Sequence, residues 1–202
     1  MYAELYKVSY LRIIKQLSNF RRDFKVACDY ITNNRFYIKN NELIISILLI
    51  EDRKFFIHHG VSFKSLLRAF VKSYGGGSTI NMQLVRTLTG RRELTIRRKI
   101  RECFLSIAID FKYSKKDIIN SYISCAYFGV GINGFNEMTN SFFDGKSSSE
   151  LSLNDCFFIA SLLKRPYPGR LYYSWIKNIY IRMEYIRHLY CTNEQKIRKE
   201  IK

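Results

Sequence analysis

Apolar residues along this chain recur at helical rather than strand spacing. Tyr6, Tyr10, Ile13, Ile14 and Leu17 share one face, with Lys7, Arg12 and Lys15 on others. The run from Leu43 to Ile50 predicts a short buried helix over 41–50. Phe63, Leu66, Leu67, Phe70, Val71 and Tyr74 then form an apolar stripe opposed by Lys64, Arg68 and Lys72. Such a helix suits either a core-facing position or an interfacial one on anionic lipid. Gly75, Gly76 and Gly77 end it, and Ser78 or Thr79 can cap a next helix running through Gln83 and Arg86.

Leu94, Ile96, Ile100, Phe104, Leu105, Ile107 and Ala108 predict a long helix over 93–111. Ser114 is a cap for a helix over 116–126, and Gly129, Gly131 and Gly134 mark an irregular loop. The run 155–163 is apolar throughout until Pro166 and Pro168 stop it, and a last helix is expected over 175–190. Strand signals are scarce, so the fold is expected to be predominantly α.

A chain of 202 residues, 47% apolar and 25% charged, can bury a real core. Its 34 Lys and Arg against 17 Asp and Glu give a formal charge of +17, which implies an anionic partner. Nucleic acid is disfavoured, because no binding motif is present and the aromatics fall on apolar faces rather than among the basic residues. The five cysteines show no metal-ligand or paired spacing and read as small buried hydrophobes. No stretch reaches the roughly 18–20 apolar residues of a membrane-spanning helix, and no signal peptide is visible at the N-terminus.

The chemistry-bearing residues concentrate in three blocks. Glu51 and Asp52 follow the apolar run directly and precede Phe55, His58, His59 and Gly60. A carboxylate at the edge of an apolar element is poorly solvated, which suits it to proton exchange near neutral pH. The second block is Gly76-Gly77-Ser78-Thr79-Ile80, followed by Gln83 and Arg86. The third lies among Arg91, Arg92, Arg97, Arg98, Lys99 and Arg101, with Glu102 one turn beyond Arg98. Guanidinium forks match phosphate oxygens, and a glycine-rich helix start offers amides to an anion.

In this order and spacing the blocks resemble the family 51 glycosyltransferases, the peptidoglycan polymerases. Glu51, Asp52, Phe55, His58 and Gly60 are similar to the family's first motif. Gly76 to Ile80 with Gln83 resemble the second, and Arg98, Lys99 and Glu102 the third. Lys116 to Ile123 partly resemble the fourth, while Arg182, Ile186 and Arg187 fall in register with the fifth. The resemblance spans roughly residues 40–190.

It implies a lysozyme-like, two-lobed helical domain over 40–190, an N-terminal helical segment over 1–39 and a charged tail over 191–202. It also implies polymerisation of lipid II into β-1,4 glycan strands, with inversion and release of undecaprenyl pyrophosphate. Glu51 and Glu102 are then the catalytic residues, Glu51 as general base. Asp52, Phe55, His58, Ser78, Thr79, Gln83, Arg86, Arg98 and Lys99 are substrate-binding. Glu102 would also help hold a divalent cation, magnesium or manganese. Expected partners are lipid II, the growing strand, an anionic membrane surface and cell-wall synthesis proteins, on the outer face of the cytoplasmic membrane. Without a visible anchor, the chain is expected to reach that face by another route, to have lost its anchor, or not to do the family's job.

The periphery departs from the family pattern at Ser62, Asn81-Met82, Arg86, Leu94, Asn120 and Ser124. Leu94 stands where many members carry a phosphate-contacting Arg, with Arg92 nearby as a substitute. A catalytically silent relative that binds lipid-linked precursor or an assembly partner is therefore the alternative. A lytic hydrolase would share the fold but has no use for clustered arginines beside Glu102.

Overall fold

The computed structural model describes residues 2–62, 67, 77–91 and 93–201, with side chains from residue 16 onward. Apart from Leu67, the expected amphipathic helix over 63–74 lies outside the described residues, as do Gly75, Gly76 and Arg92. Eight α-helices account for most of the remainder. They are α1 (Tyr2–Asn33), α2 (Asn41–Glu51), α3 (Ile80–Thr89), α4 (Ile96–Lys112), α5 (Lys115–Cys125), α6 (Gly134–Phe142), α7 (Leu153–Lys164) and α8 (Tyr173–Ile201). A small antiparallel hairpin, β1 (Tyr127–Gly129) and β2 (Ile132–Asn133), interrupts them where the glycines predict a loop. The architecture is predominantly α and lysozyme-like.

The caps follow the sequence closely. Asn40 caps α2 by accepting from the amides of Glu42 and Leu43, and its own Nδ2 donates to Ser148 and Leu151 carbonyls. Thr79, rather than Ser78, caps α3. Thr95 caps α4, starting that helix later than expected. Ser114 and Asp117 form a reciprocal capping box on α5, as do Ser152 and Asp155 on α7. The last helix begins at Tyr173 and continues through the charged 191–201 segment, well beyond its expected end at 190.

Two groups of helices pack around a continuous core. In one, α2, α7 and α8 are mutual neighbours; in the other, α3 sits against α4, α5 and α1. Every residue of α2 from Leu43 to Leu49 is buried, as a helix apolar on all sides must be. This central placement is what positions Glu51, the last residue of α2. Among the described residues no helix is long and apolar enough to cross a membrane.

The loop 52–60 leaves α2 and docks on α4 through Gly60. Its φ is +74°, and a Cβ there would lie 2.3 Å from the Ser106 carbonyl oxygen. Thr79 fixes the same point, since its hydroxyl donates to the Gly60 carbonyl at 2.6 Å. Gly60→Ala is expected to lower unfolding stability by more than about 2 kcal/mol, from left-handed strain plus the backbone clash. Urea denaturation measures it, and an unchanged midpoint would contradict the close approach.

Candidate functional site

Glu51 ends α2 with a side chain that is only 1% exposed. Its Oε2 accepts from Gln83 Nε2 at 2.7 Å and from Lys164 Nζ at 2.6 Å. The Gln83 amide is oriented from behind, because the Tyr122 hydroxyl donates to its Oε1 at 3.1 Å. Burial pushes the Tyr122 phenol well above its usual pKa, so it remains a donor. Tyr122, Gln83 and Glu51 thus form a directed chain in which each amide or hydroxyl has one role.

Glu102, on α4, is 3% exposed and faces cations. Arg86 Nε donates to Oε1 at 2.7 Å, and Arg98 Nη1 to Oε2 at 2.8 Å. Lys99 Nζ is 3.9 Å from Oε2. Ser78 closes the group, accepting from Arg86 at 3.2 Å and from Lys99 at 2.8 Å. Burial pulls the Lys99 ammonium below its usual pKa, with Glu102 opposing the shift. The i,i+4 spacing of Arg98 and Glu102 brings them together as the sequence suggests.

One helix connects the two carboxylates. Gln83 and Arg86 stand one turn apart on α3, the first on Glu51 and the second on Glu102. Three residues of helix advance about 4.5 Å, so α3 holds a neutral amide at one acid and a guanidinium at the other.

Asp52 is a strut between elements. Its Oδ2 accepts from His58 Nε2 at 2.8 Å and from the Ile80 amide, at the start of α3, at 3.1 Å. Placing an anion at a helix N-terminus is favourable in itself. Asp52, expected as a substrate contact, here holds its neighbours in place. His58 is an orienting partner, while His59 is exposed and stacks flat on Phe111. Phe55 is buried, with Lys115 Nζ 4.8 Å above its ring. Phe55 and Thr79, expected as substrate contacts, therefore support the site from within the core. Ser78, Gln83, Arg86, Arg98 and Lys99 are all only partly buried.

The basic run does not act as one patch. Arg91 and Arg101 turn away from Glu102 to Asp23 of α1, at 2.7 and 3.0 Å. Leu94 is 97% exposed. The drifted positions of the fourth motif are absorbed locally: Asn120 accepts from the Ile38 amide at 3.0 Å, and Ser124 pairs with Tyr30 at 2.9 Å. In the fifth, Ile186 is buried in the core and Arg187 reaches Asn154 of α7 at 3.1 Å.

A divalent cation does not fit Glu102 as the residue stands. Both carboxylate oxygens are taken by guanidiniums, and a metal would have to displace one of them. Among the described residues no group of three His, Cys, Asp or Glu side chains is placed to hold a metal.

Lys164 and Tyr122 were not singled out by the sequence. Lys164 lies 113 residues from Glu51. Its only local signal is that, with Arg165, it closes the apolar run of α7 before Pro166. A further buried acid, Asp110, was also missed. It accepts from Asn81 at 2.9 Å and Lys115 at 2.5 Å, and Lys115 further donates to the His58 carbonyl at 2.7 Å.

Comparison with known proteins places this geometry in a family. The family model described as Transglycosylase matches residues 30–190, and the chain belongs to that family. It is 35% identical over 143 residues to penicillin-binding protein 1B of Haemophilus influenzae, a match covering 66% of this chain and 18% of that protein. It is similarly 35% identical over 142 residues to penicillin-binding protein 1A of Aquifex aeolicus, covering 65% of this chain and 19% of that one. A protein of Cupriavidus necator that carries the transglycosylase name is 34% identical over 130 residues, covering 62% and 56% respectively. The chain spans less than a fifth of the two penicillin-binding proteins.

Asp52→Ala would leave the Ile80 amide and His58 Nε2 without their acceptor. Stability is expected to fall by about 2–3 kcal/mol. Thermal unfolding measures this, and a variant as stable as the parent would remove Asp52 as a strut.

Proposed function

We propose that the chain is a peptidoglycan glycosyltransferase that extends β-1,4 glycan strands from lipid II. The observation that supports this most is the contrast between the two buried carboxylates joined by α3. Glu51 faces an amide and one lysine, whereas Glu102 is embedded in Arg86, Arg98 and Lys99.

The reaction has two ends with opposite needs. At one, the acceptor C4 hydroxyl must lose a proton as its oxygen forms a bond to the donor's anomeric carbon. At the other, the bond from that carbon to a phosphate oxygen breaks, and the electron pair leaves with undecaprenyl pyrophosphate. Glu51 is assigned as the base. Lys164 now covers it, but this side chain is 34% exposed on a flexible stem and can swing aside as the acceptor enters. Base catalysis of this kind contributes roughly 10² to 10⁴ in rate.

Glu102 is not assigned a proton transfer. Its two hydrogen-bonded guanidiniums fix it as the anchor that aims Arg86, Arg98 and Lys99. Three cations around one carboxylate leave positive charge for the departing pyrophosphate, and Ser78 offers a hydroxyl beside them. One displacement from one face inverts the anomeric centre, so no covalent intermediate on the protein is required. We assign this work to residues 40–190, at an anionic membrane surface on the outer face.

Glu51→Gln keeps the size of the side chain and its hydrogen bond from Gln83. Incubated with labelled lipid II, it is expected to lose at least about 100-fold in strand formation with its melting temperature little changed. Strand formation by the parent that persists in the variant would remove Glu51 as base. Binding of lipid II without any strand formation by the parent would favour the silent-relative reading.

A further inference from the structure

The end of α2 remote from Glu51 borders a pocket that glycosyl transfer does not use. Its volume is about 460 Å³, within the range of small-molecule sites. Asn41, the first residue of α2, lines it, and ten residues of helix advance about 15 Å. The pocket is therefore well removed from Glu51. On α5, Asn120 in the lining and Tyr122 behind Gln83 are two residues apart, or about 200° around the helix. They face opposite ways. Gln83, Lys164, Arg86, Arg98 and Lys99, the partners of the two acids, are all outside the lining.

The last turns of α8 supply part of the wall. Arg198 and Ile201 line the pocket, and both lie past residue 190, where the family match ends. Arg198 is held in place by Glu42 and by the Tyr190 hydroxyl, so its own charge is already met.

The remaining polar groups favour an anion. Lys39 and Lys116 line the pocket and make no ion pair among the described residues, and the lining contains no carboxylate. Asn120 is more specific. The residue is 6% exposed, and its Oδ1 accepts from the Ile38 amide. Its Nδ2 has no acceptor among the described residues, yet it is not sealed from solvent. A mostly buried donor that a ligand can reach, beside two unpaired ammoniums, suits a carboxylate oxygen.

The rest of the lining is apolar, from Ile38, Ile44, Phe56, Ile119 and Ile201. A bare inorganic anion has no use for these side chains, whereas an acid with an apolar body buries itself on them.

We propose that this pocket binds a small organic acid, its carboxylate accepting from Asn120 Nδ2 between Lys39 and Lys116 and its apolar body lying on the isoleucines and Phe56. The proposal does not rest on the glycosyl-transfer reading.

The test titrates the full chain by calorimetry with phenylbutyrate. Phenylbutanol, which lacks the charge, and acetate, which lacks the apolar body, are titrated beside it. Phenylbutyrate is expected to saturate a single site and to shift the Asn120 side-chain amide signal by NMR. Each comparison compound should bind at least about tenfold more weakly, since each lacks one half of the recognition. Asn120→Asp keeps an oxygen for the Ile38 amide but replaces the donor with a negative oxygen, and it should abolish binding. Lys116→Glu is expected to weaken binding at least about threefold. Lys177→Glu, an equally exposed charge on α8, should leave it unchanged. Matching melting temperatures exclude misfolding, and the lysine pair decides the matter should Asn120→Asp melt early. Phenylbutanol or acetate binding as tightly as phenylbutyrate, a folded Asn120→Asp variant that still binds, equal losses in the two lysine variants, or no saturation would each overturn the proposal.

Discussion

Glu51 and Glu102, like Asp110, are almost wholly removed from water, and the arrangement of the site follows from the partners these two glutamates need. A buried anion is costly unless paired and hydrogen-bonded. Glu51 and Glu102 meet that demand through a common element, since Gln83 and Arg86 lie one turn apart on α3. The position of α3 is fixed in turn by Asp52 at its first amide, by Thr79 at its cap and by Asn81 on Asp110. The polar groups of the first sequence block are therefore mostly structural. They hold the helix that aims the two acids, and the acids themselves lie at the ends of α2 and within α4.

The same division accommodates the positions that depart from the resembled motifs. Asn120 and Ser124 depart from the family pattern, yet both find partners within the packing of α1, α5 and the 34–38 segment. Neither bonds to either acid. Arg86 stands where the family commonly has Lys, and its planar fork reaches Glu102 and Ser78 together, which a single ammonium does less rigidly.

Much of the fold was legible because its signals are local. The helix caps at Thr79 and Ser114 are short-range hydrogen bonds, and the apolar run of α2 announces its own burial. The blocks around Glu51 and Glu102 were likewise visible as strings. Their partners were not, because they come from far along the chain: Lys164 reaches Glu51 across 113 residues, and Arg91 reaches Asp23 across 68. For the same reason, reading residues 91–101 as one basic patch merged two sets of arginines that the packing of α1 separates. The continuation of α8 past 190 was hidden by charge, since its polar residues stabilise an exposed helix as readily as a tail.

The claim that α3 sets both acids is tested most directly at Gln83, the residue that touches Glu51 and Tyr122 but carries no charge. Gln83→Met preserves length and helix propensity while removing both hydrogen bonds. Turnover of labelled lipid II by this variant, measured beside its melting temperature, is the decisive comparison. The account predicts at least a tenfold fall in kcat with the fold retained and the affinity of the Glu102 group for substrate little altered. Unchanged kcat would show that Glu51 does not depend on α3 for its placement.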